Sequence, residues 1–289
     1  MTENNRDNSI YDSPYFRPFT NDKIFMNVMR SPKICRALLE LILPNEEIGA
    51  IRLKKSDNPL IDNSEIDEGA DENLSIETQK TLKLETDAHG VRFDAFVASS
   101  KLWADIEMQT DNDSKIDKRA RYYHANIDLD FLEQGKRYEE LKPSYVIFIC
   151  TFDHFNMDEP VYFFRSWDVE KGLPLDDLSY TIVLNTKCSP EKVSEALKPF
   201  YEYLNDPRKN QASELTRMID ERVRKFNSDE WRKKYMTFEY ILNEQKRESF
   251  AEGAAQKQRE IAKSMKDEGI AKEVIEKITG LSAEEVEKL

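Results

Sequence analysis

Gly90-Val-Arg-Phe-Asp94-Ala-Phe-Val97 and Trp103-Ala-Asp-Ile-Glu107-Met-Gln109, followed later by Tyr145-Val-Ile-Phe-Ile-Cys150, are the stretches of sequence that decide the fold. In the first two, apolar and polar residues alternate, which is the period of a β-strand with one buried face. The third is a continuous apolar run. We therefore predict two antiparallel strands joined by a turn at 99–102, then a polar helix, then a third strand.

Carboxylates on the two paired strands are expected to lie close together. If Ala98 pairs with Trp103 across the turn, Asp94 falls directly opposite Glu107. Directly opposed side chains lie roughly 5 Å apart at Cβ, so one divalent cation can contact both carboxylates. The hairpin is thus a candidate metal site. The alternative interpretation is a polar strand face that is simply solvated.

Further polar side chains are placed near this pair by their spacing. Asp105 and Gln109 share the strand face of Glu107, because alternate residues of a strand point to the same side. Apolar residues at helical spacing predict two helices within residues 21–44, and Glu40 lies in the second of them. Glu40 is either a carboxylate at the edge of the buried face or a further metal ligand.

A basic cluster opens the helix that is predicted after Gln109. Lys118, Arg119 and Arg121 lie at the entry of this helix, near the mouth that the carboxylates would face. Arginine and lysine bind phosphates in nucleic-acid complexes. We therefore expect these three residues to hold a phosphate backbone.

Composition narrows the class of protein. The chain has 289 residues, 39% of them hydrophobic, which predicts a real core and one or two domains. No apolar run approaches the roughly 20 residues of a membrane span, and we expect a cytoplasmic protein without membrane association.

Three scattered cysteines, Cys35, Cys150 and Cys188, argue against a disulfide framework and against structural zinc. The net charge of −13 argues against a simple nucleic-acid coat protein.

The order of patterns along the chain predicts three regions. Residues 1–18 form a polar lead-in that we expect to fray, and residues 19–189 form the core. An acidic, mobile insertion is expected near residues 57–77, which hold eight acids and no base. Residues 190–289 are predicted to be helical, with self-association through an exposed helix at 248–266. They end in a small partner-binding module, and no DNA-reading helix-turn-helix is expected.

Several motifs together resemble the Rpn family, recombination-promoting nucleases that are also described as PD-(D/E)XK nuclease family transposases. The resemblance covers most of residues 19–187 and the final segment. The motifs that carry it are Gly90-Val-Arg-Phe-Asp94, Ile106-Glu107-Met-Gln109, Arg119-Ala-Arg-Tyr-Tyr123, Gly135-Lys-Arg-Tyr-Glu-Glu-Leu141, Tyr145-Val-Ile-Phe-Ile149, Asp22-Lys-Ile-Phe25 and Ile278-Thr-Gly-Leu-Ser282.

The resemblance implies an α/β fold of the restriction-endonuclease type, a mixed sheet flanked by helices, with an all-helical C-terminal region. It implies an endonuclease that cleaves DNA with Mg²⁺, or with Mn²⁺ or Ca²⁺ in its place, in recombination or mobile-element activity. Asp94 and Glu107 become metal ligands, and Glu40 matches the helix acid of many superfamily members. Gln109 stands where the wider superfamily usually has lysine.

The chemistry of these residues leaves two functions open. Two acids bind a hard cation that activates water and stabilises charge on the phosphate. Gln109 can orient that water, but it can neither carry a positive charge nor accept a proton as lysine would. We therefore expect slow cleavage. The alternative is a catalytically inert protein that binds nucleic acid or another protein. A homodimer through the C-terminal helices is expected because cutting both DNA strands benefits from two sites.

Overall fold

The computed structural model describes residues 8–49, 76–78, 81–82, 91–92, 94–112, 115–132, 137–234 and 256–288. The chain divides into two compact units, Met1–Asp229 and Glu230–Leu289. A strand predicted at 48–53 lies outside the described residues except for its first two positions. The acidic insertion at 57–77 lies outside them except for its last two positions.

The described residues of the first unit form ten strands in three sheets. They are β1 (Ile76–Thr78), β2 (Thr81–Leu82), β3 (Val91–Arg92), β4 (Ala95–Ala98), β5 (Trp103–Gln109), β6 (Ser144–Cys150), β7 (Val161–Phe164), β8 (Trp167–Asp168), β9 (Leu173–Pro174) and β10 (Ser179–Asn185). Six form the central sheet in the order β1-β4-β5-β6-β10-β7. In this sheet β5, β6 and β10 run parallel, while β1 pairs with β4, β4 with β5 and β7 with β10 in antiparallel fashion. The predicted mixed sheet is confirmed.

The middle of the sheet is covered on both faces. Every residue of β5 and β6 is buried, as expected for parallel strands between two layers. Such strands normally consist of apolar residues throughout. Strand β5 is an exception, because three of its buried side chains are polar: Asp105, Glu107 and Gln109.

Among the described residues of the first unit, five α-helices flank the sheet: α1 (Asp22–Val28), α2 (Pro32–Ile42), α3 (Ile116–Phe131), α4 (Lys198–Asn205) and α5 (Glu214–Phe226). The predicted pair α1 and α2 is present, with Pro32 in the first turn of α2, where its missing N–H is not needed. Helix α3 packs Ile116, Ala120, Tyr123 and Ile127 onto one face of the sheet. The packing of α3 fixes which of its basic side chains point toward β5.

The predicted lead-in docks on α5 instead of fraying, as far as it is described. Tyr11 is buried, and its hydroxyl donates to Asp220 Oδ1 at 2.6 Å. The N–H of Arg17 donates to Asn227 Oδ1 at 2.8 Å, and Asn227 Nδ2 donates to the Arg17 carbonyl at 2.9 Å. Since the first compact unit extends to Asp229, α4 and α5 belong with the sheet, beyond the boundary predicted at 189.

The second unit is helical where it is described. Residues 256–267 form a helix, followed by α6 (Lys272–Thr279) and α7 (Ala283–Lys288). Ala262, Ile275, Leu281 and Val286 pack together in its core. Gly280, at a φ of 71°, ends α6 in the left-handed conformation that glycine favours.

The predicted capping box at the start of α7 is confirmed. The Ser282 N–H donates to Glu285 Oε2 at 2.9 Å, and the Glu285 N–H donates back to Ser282 Oγ at 3.4 Å. Among the described residues, no helix is both long enough and apolar enough to cross a membrane.

Candidate active site

The hairpin of β4 and β5 has the register that the sequence predicted. Ala98 pairs with Trp103 and Ala95 with Ile106, so Asp94 comes directly before the paired residues, facing Glu107. The Asp94 N–H donates to Glu107 Oε1 at 3.0 Å. The Met108 N–H lies 3.4 Å from Asp94 Oδ2. The two acids proposed as metal ligands are therefore neighbours at the open end of the hairpin.

Asp105 is a third acid of the same cluster, and the sequence-based site did not include it. Its side chain is completely buried, and among the described residues neither carboxylate oxygen has a hydrogen-bond partner. A proton on Asp105 or Glu107 would allow the two acids to share a hydrogen bond. The available signal was the alternation along β5, which places Asp105 on the face of Glu107. That alternation gives no indication that Asp105 lacks partners.

Arg119 reaches into this cluster from α3. Its Nη2 donates to Glu107 Oε2 at 2.8 Å and its Nη1 to Gln109 Oε1 at 2.8 Å. Its guanidinium lies 5.4 Å from the ring centre of Tyr123 and 5.7 Å from that of Phe148. Two aromatic rings and two polar partners thus hold one cation beside the acids. Its side chain keeps 33% of its surface exposed.

The other two basic residues of the predicted cluster, Lys118 and Arg121, do not join the acids. Lys118 and Arg121 are exposed on α3. The helix therefore separates the three residues that the sequence grouped together. Arg119 faces the sheet, while Lys118 and Arg121 face solvent.

Gln109 is held in one orientation by its neighbours. Its Oε1 accepts from Arg119, and its Nε2 lies 3.4 Å from Glu107 Oε2. The hydroxyl of Tyr123 completes the arrangement, accepting from Arg119 Nη2 at 2.9 Å and lying 3.5 Å from Glu107 Oε2. A neutral amide and a guanidinium therefore stand together beside the Glu107 carboxylate.

The cluster binds protons more tightly than isolated acids do. The pKa of Glu107 is raised to about 8, first by burial and then by the charge of Asp94, against the effects of the Asp94 N–H and Arg119. The pKa of Asp105 lies well above its ordinary value, first because the carboxyl is buried and then because Glu107 and Asp94 carry like charge. A cation that neutralised this charge would displace these protons.

The residues fit a hard divalent cation. No group of three or more acidic, histidine or cysteine side chains in the described ranges is arranged to hold a metal ion by itself. Mg²⁺ commonly keeps several waters and takes only one or two carboxylates, with substrate phosphates as further ligands. Asp94 and Glu107 meet that requirement, and Asp105 would add negative charge beside them once a bound cation displaced its proton.

Glu40 lies on the surface of the protein. It is exposed on α2 and forms an ion pair with Arg36 at 3.6 Å, one turn earlier. Its position matches the first interpretation of the sequence, a carboxylate outside the buried face of the helix.

Comparison with protein families gives two matches. Residues 64–269 match the model of the PD-(D/E)XK nuclease family transposase, and residues 255–289 match the Rpn/YhgA-like nuclease family, C-terminal HTH domain. The second match corrects the expectation that the chain has no helix-turn-helix. No curated protein and no solved structure matches the chain. Nuclease and helix-turn-helix domains both indicate DNA as the partner.

Proposed function

The chain belongs to the PD-(D/E)XK nuclease family transposases, and from this premise we propose that it is a metal-dependent DNA endonuclease of the cytoplasm that serves recombination or mobile-element activity. The observation that carries the proposal is that the backbone N–H of Asp94 donates to Glu107 Oε1 at 3.0 Å, which makes the two acids neighbours in the cluster under α3. A buried cluster of like charges costs stability, and a bound cation would offset that cost.

Each residue of the cluster has a role in the proposed reaction. Asp94 and Glu107 would hold the metal ion, which when bound polarises the phosphate and lowers the pKa of a coordinated water. Gln109, fixed by Arg119 and Glu107, orients water through its amide. Arg119 supplies the positive charge that Gln109 lacks, and it would donate to a phosphoryl oxygen. Three of the five N–H donors of a guanidinium are accounted for by Glu107, Gln109 and Tyr123.

Substrate binding is assigned to the exposed side of α3. Lys118 and Arg121 flank Arg119 in sequence and are open to solvent, so they are suited to contact the phosphates of DNA on either side of the scissile bond. Such contacts position a duplex without reading its sequence. Glu40, being exposed and paired with Arg36, is left out of the proposed ligand set.

Cleavage of supercoiled plasmid tests the proposal. The native chain should nick the plasmid with Mg²⁺ or Mn²⁺ and not with EDTA. Asp94→Asn and Glu107→Gln should each reduce nicking by a factor on the order of 100 or more, the scale of removing one charge-stabilising group. Each substitution keeps the size of the side chain and removes only its charge.

Glu40→Gln is the matched control, because it removes an acid of the same chain outside the cluster and should leave nicking unchanged. Melting temperatures of all variants should be recorded to show that they fold. Full nicking by Asp94→Asn would refute the assignment of the site. Nicking that requires Glu40 would restore the helix acid to the ligand set.

A second candidate function is binding without cleavage. The neutral Gln109 and the ion pair of Arg119 with Glu107 at 2.8 Å favour it, because that ion pair neutralises a proposed metal ligand. In α7, Glu284 and Glu285 lie in the first turn, and acids there repel the phosphates that a helix-turn-helix would contact. Calorimetry that detects no Mg²⁺ binding, together with absence of nicking, would favour a protein-binding role for this chain.

A further inference from the structure

The outer edge of the central sheet is open at β7. This strand pairs with β10 on one side and is the last in the strand order. The Asn185 N–H donates to the Pro160 carbonyl at 3.0 Å, so the carbonyl group of Pro160 points toward β10. Because backbone groups alternate along a strand, the N–H and C=O groups of Val161 and Phe163 point away from the sheet. No hydrogen bond to those groups occurs in the structure of the described residues.

This edge is apolar as well as unpaired. Phe163 is 53% exposed, Phe164 45% and, just beyond β7, Trp167 43%. Natural sheets usually protect an open edge with charge, proline or a bulge. None of these occurs within the four residues of β7, whose sequence is Val-Tyr-Phe-Phe. An edge of this kind is a template for another strand.

We propose that β7 pairs with β7 of a second copy of this chain, in antiparallel fashion about a two-fold axis at Tyr162. In an antiparallel pair, residues whose backbone N–H and C=O groups point toward the partner strand must lie opposite residues of the same kind. A shift by one residue would break this match, so only every second register is possible. The register centred on Tyr162 places Phe163 opposite Val161 of the partner and Arg165 opposite Glu159 of the partner. Apolar pairs thus occupy the centre, and opposite charges meet at both ends.

Charge complementarity selects this register over its neighbours. Centring on Phe163 would place Arg165 opposite Val161, and centring on Val161 would place it opposite Met157. Only the Tyr162 register of these three gives Arg165 an acidic partner. In the isolated chain the Arg165 guanidinium lies over the Trp167 ring at 4.5 Å, and Glu159 accepts from Lys192 at 3.3 Å on the surface. The pairing joins two six-stranded sheets into one and does not depend on the nuclease chemistry.

Sedimentation equilibrium of the full chain over a range of concentrations tests the pairing. The native chain should be a dimer, and Phe163→Lys should weaken it at least tenfold, because it places two like charges at the centre of the interface. Val169→Lys is the matched control. Val169 is 90% exposed in the turn after β8 and is not part of β7, so its substitution should leave the dimer intact.

A charge exchange tests the register itself. Arg165→Glu alone should weaken the dimer because it places Glu opposite Glu159, and Arg165→Glu combined with Glu159→Arg should restore it. Both variants should fold because Arg165 and Glu159 are exposed, and melting curves would check this. A monomeric native chain overturns the proposal. A dimer that survives Phe163→Lys and is lost on removal of residues 256–289 also overturns it, and places the interface on the C-terminal helices.

Discussion

Arg119 brings a positive charge to the position where the wider superfamily usually carries lysine. The charge comes from α3, while the corresponding strand position is the neutral Gln109, and the two side chains are joined at 2.8 Å. A cation that neutralises Glu107 in the metal-free chain also competes with a metal ion for that carboxylate. Arg119 should therefore affect metal binding and cleavage in opposite directions.

We expect Arg119→Gln to lower the rate of plasmid nicking by a factor on the order of 100 to 1,000, the cost of losing one donor to the transition state. Its affinity for Ca²⁺, measured by calorimetry, should be equal to or higher than that of the native chain. Gln109→Lys should restore nicking in the Arg119→Gln background. A merely structural arginine would not give this combination.

Arg137→Gln is the control for charge, since Arg137 is exposed and pairs with Glu139. It should leave both measurements unchanged. If Arg119→Gln nicks at the native rate, Arg119 has no part in the reaction, while the roles of Asp94 and Glu107 are tested separately.

Asp105 makes the stability of the metal-free protein depend on pH. Its pKa is raised by burial and by two neighbouring acids, so the folded chain binds this proton more tightly than the unfolded chain. The free energy of unfolding therefore falls as the pH rises above the ordinary aspartate range, by about 1.4 kcal/mol for each unit by which the pKa is raised.

Asp105→Asn should remove that contribution. In EDTA, its melting temperature should exceed that of the native chain at pH 8, and the difference should shrink toward pH 5 as Asp105 of the native fold gains its proton. Melting curves at both pH values measure this. A variant that is less stable than the native chain at pH 8 would show that Asp105 is stabilised by partners.

The neighbouring positions of Asp94 and Glu107 could be predicted because hairpin register follows from the turn and the alternation of side chains. The inward direction of Arg119 could not be predicted in the same way. It depends on the rotation of α3 against the sheet, which the packing of Ile116 and Tyr123 sets. Basic residues adjacent in sequence look alike until that rotation is known.

Among the elements, α5 does more than flank the sheet. Asp220 on α5 is completely buried and accepts from Tyr11, Asn210 and Arg224, at 2.6, 3.0 and 2.7 Å. These partners come from three separate parts of the chain. Local periodicity reveals apolar faces but not such hydrogen bonds between distant segments, which is why residues 8–18 were expected to fray.

Tyr11→Phe should lower the free energy of unfolding by about 1 kcal/mol, because Asp220 loses one of its donors. Burial, and then the bond to Asp220, raise the pKa of Tyr11 to about 12, so the hydroxyl stays a donor at neutral pH. Urea denaturation measures the effect. Tyr138→Phe, at a position that is 81% exposed, should change nothing. Equal stability of both variants would mean that the lead-in is held by apolar contact alone.

The molecule as a whole combines a negative charge of −13 with a polyanionic partner. In the proposed function, the basic residues of α3 and a metal ion held by the acids would have to overcome the repulsion of DNA locally. The strand order could not be predicted from the sequence, because β10 lies between β6 and β7, an arrangement that depends on the fold of the intervening chain.

The burial of acids in β5 also bears on how such proteins evolve. Backbone pairing on both sides holds β5 in the sheet, so we expect a neutral residue at Asp105 or Glu107 to preserve the fold and to relieve charge repulsion. If the chain cleaves DNA as proposed, substitutions that end cleavage should be tolerated, and even favoured, once selection for the reaction relaxes. We therefore expect some proteins of this architecture to remain folded but to have lost the acids. Only selection for DNA cleavage would retain these acids.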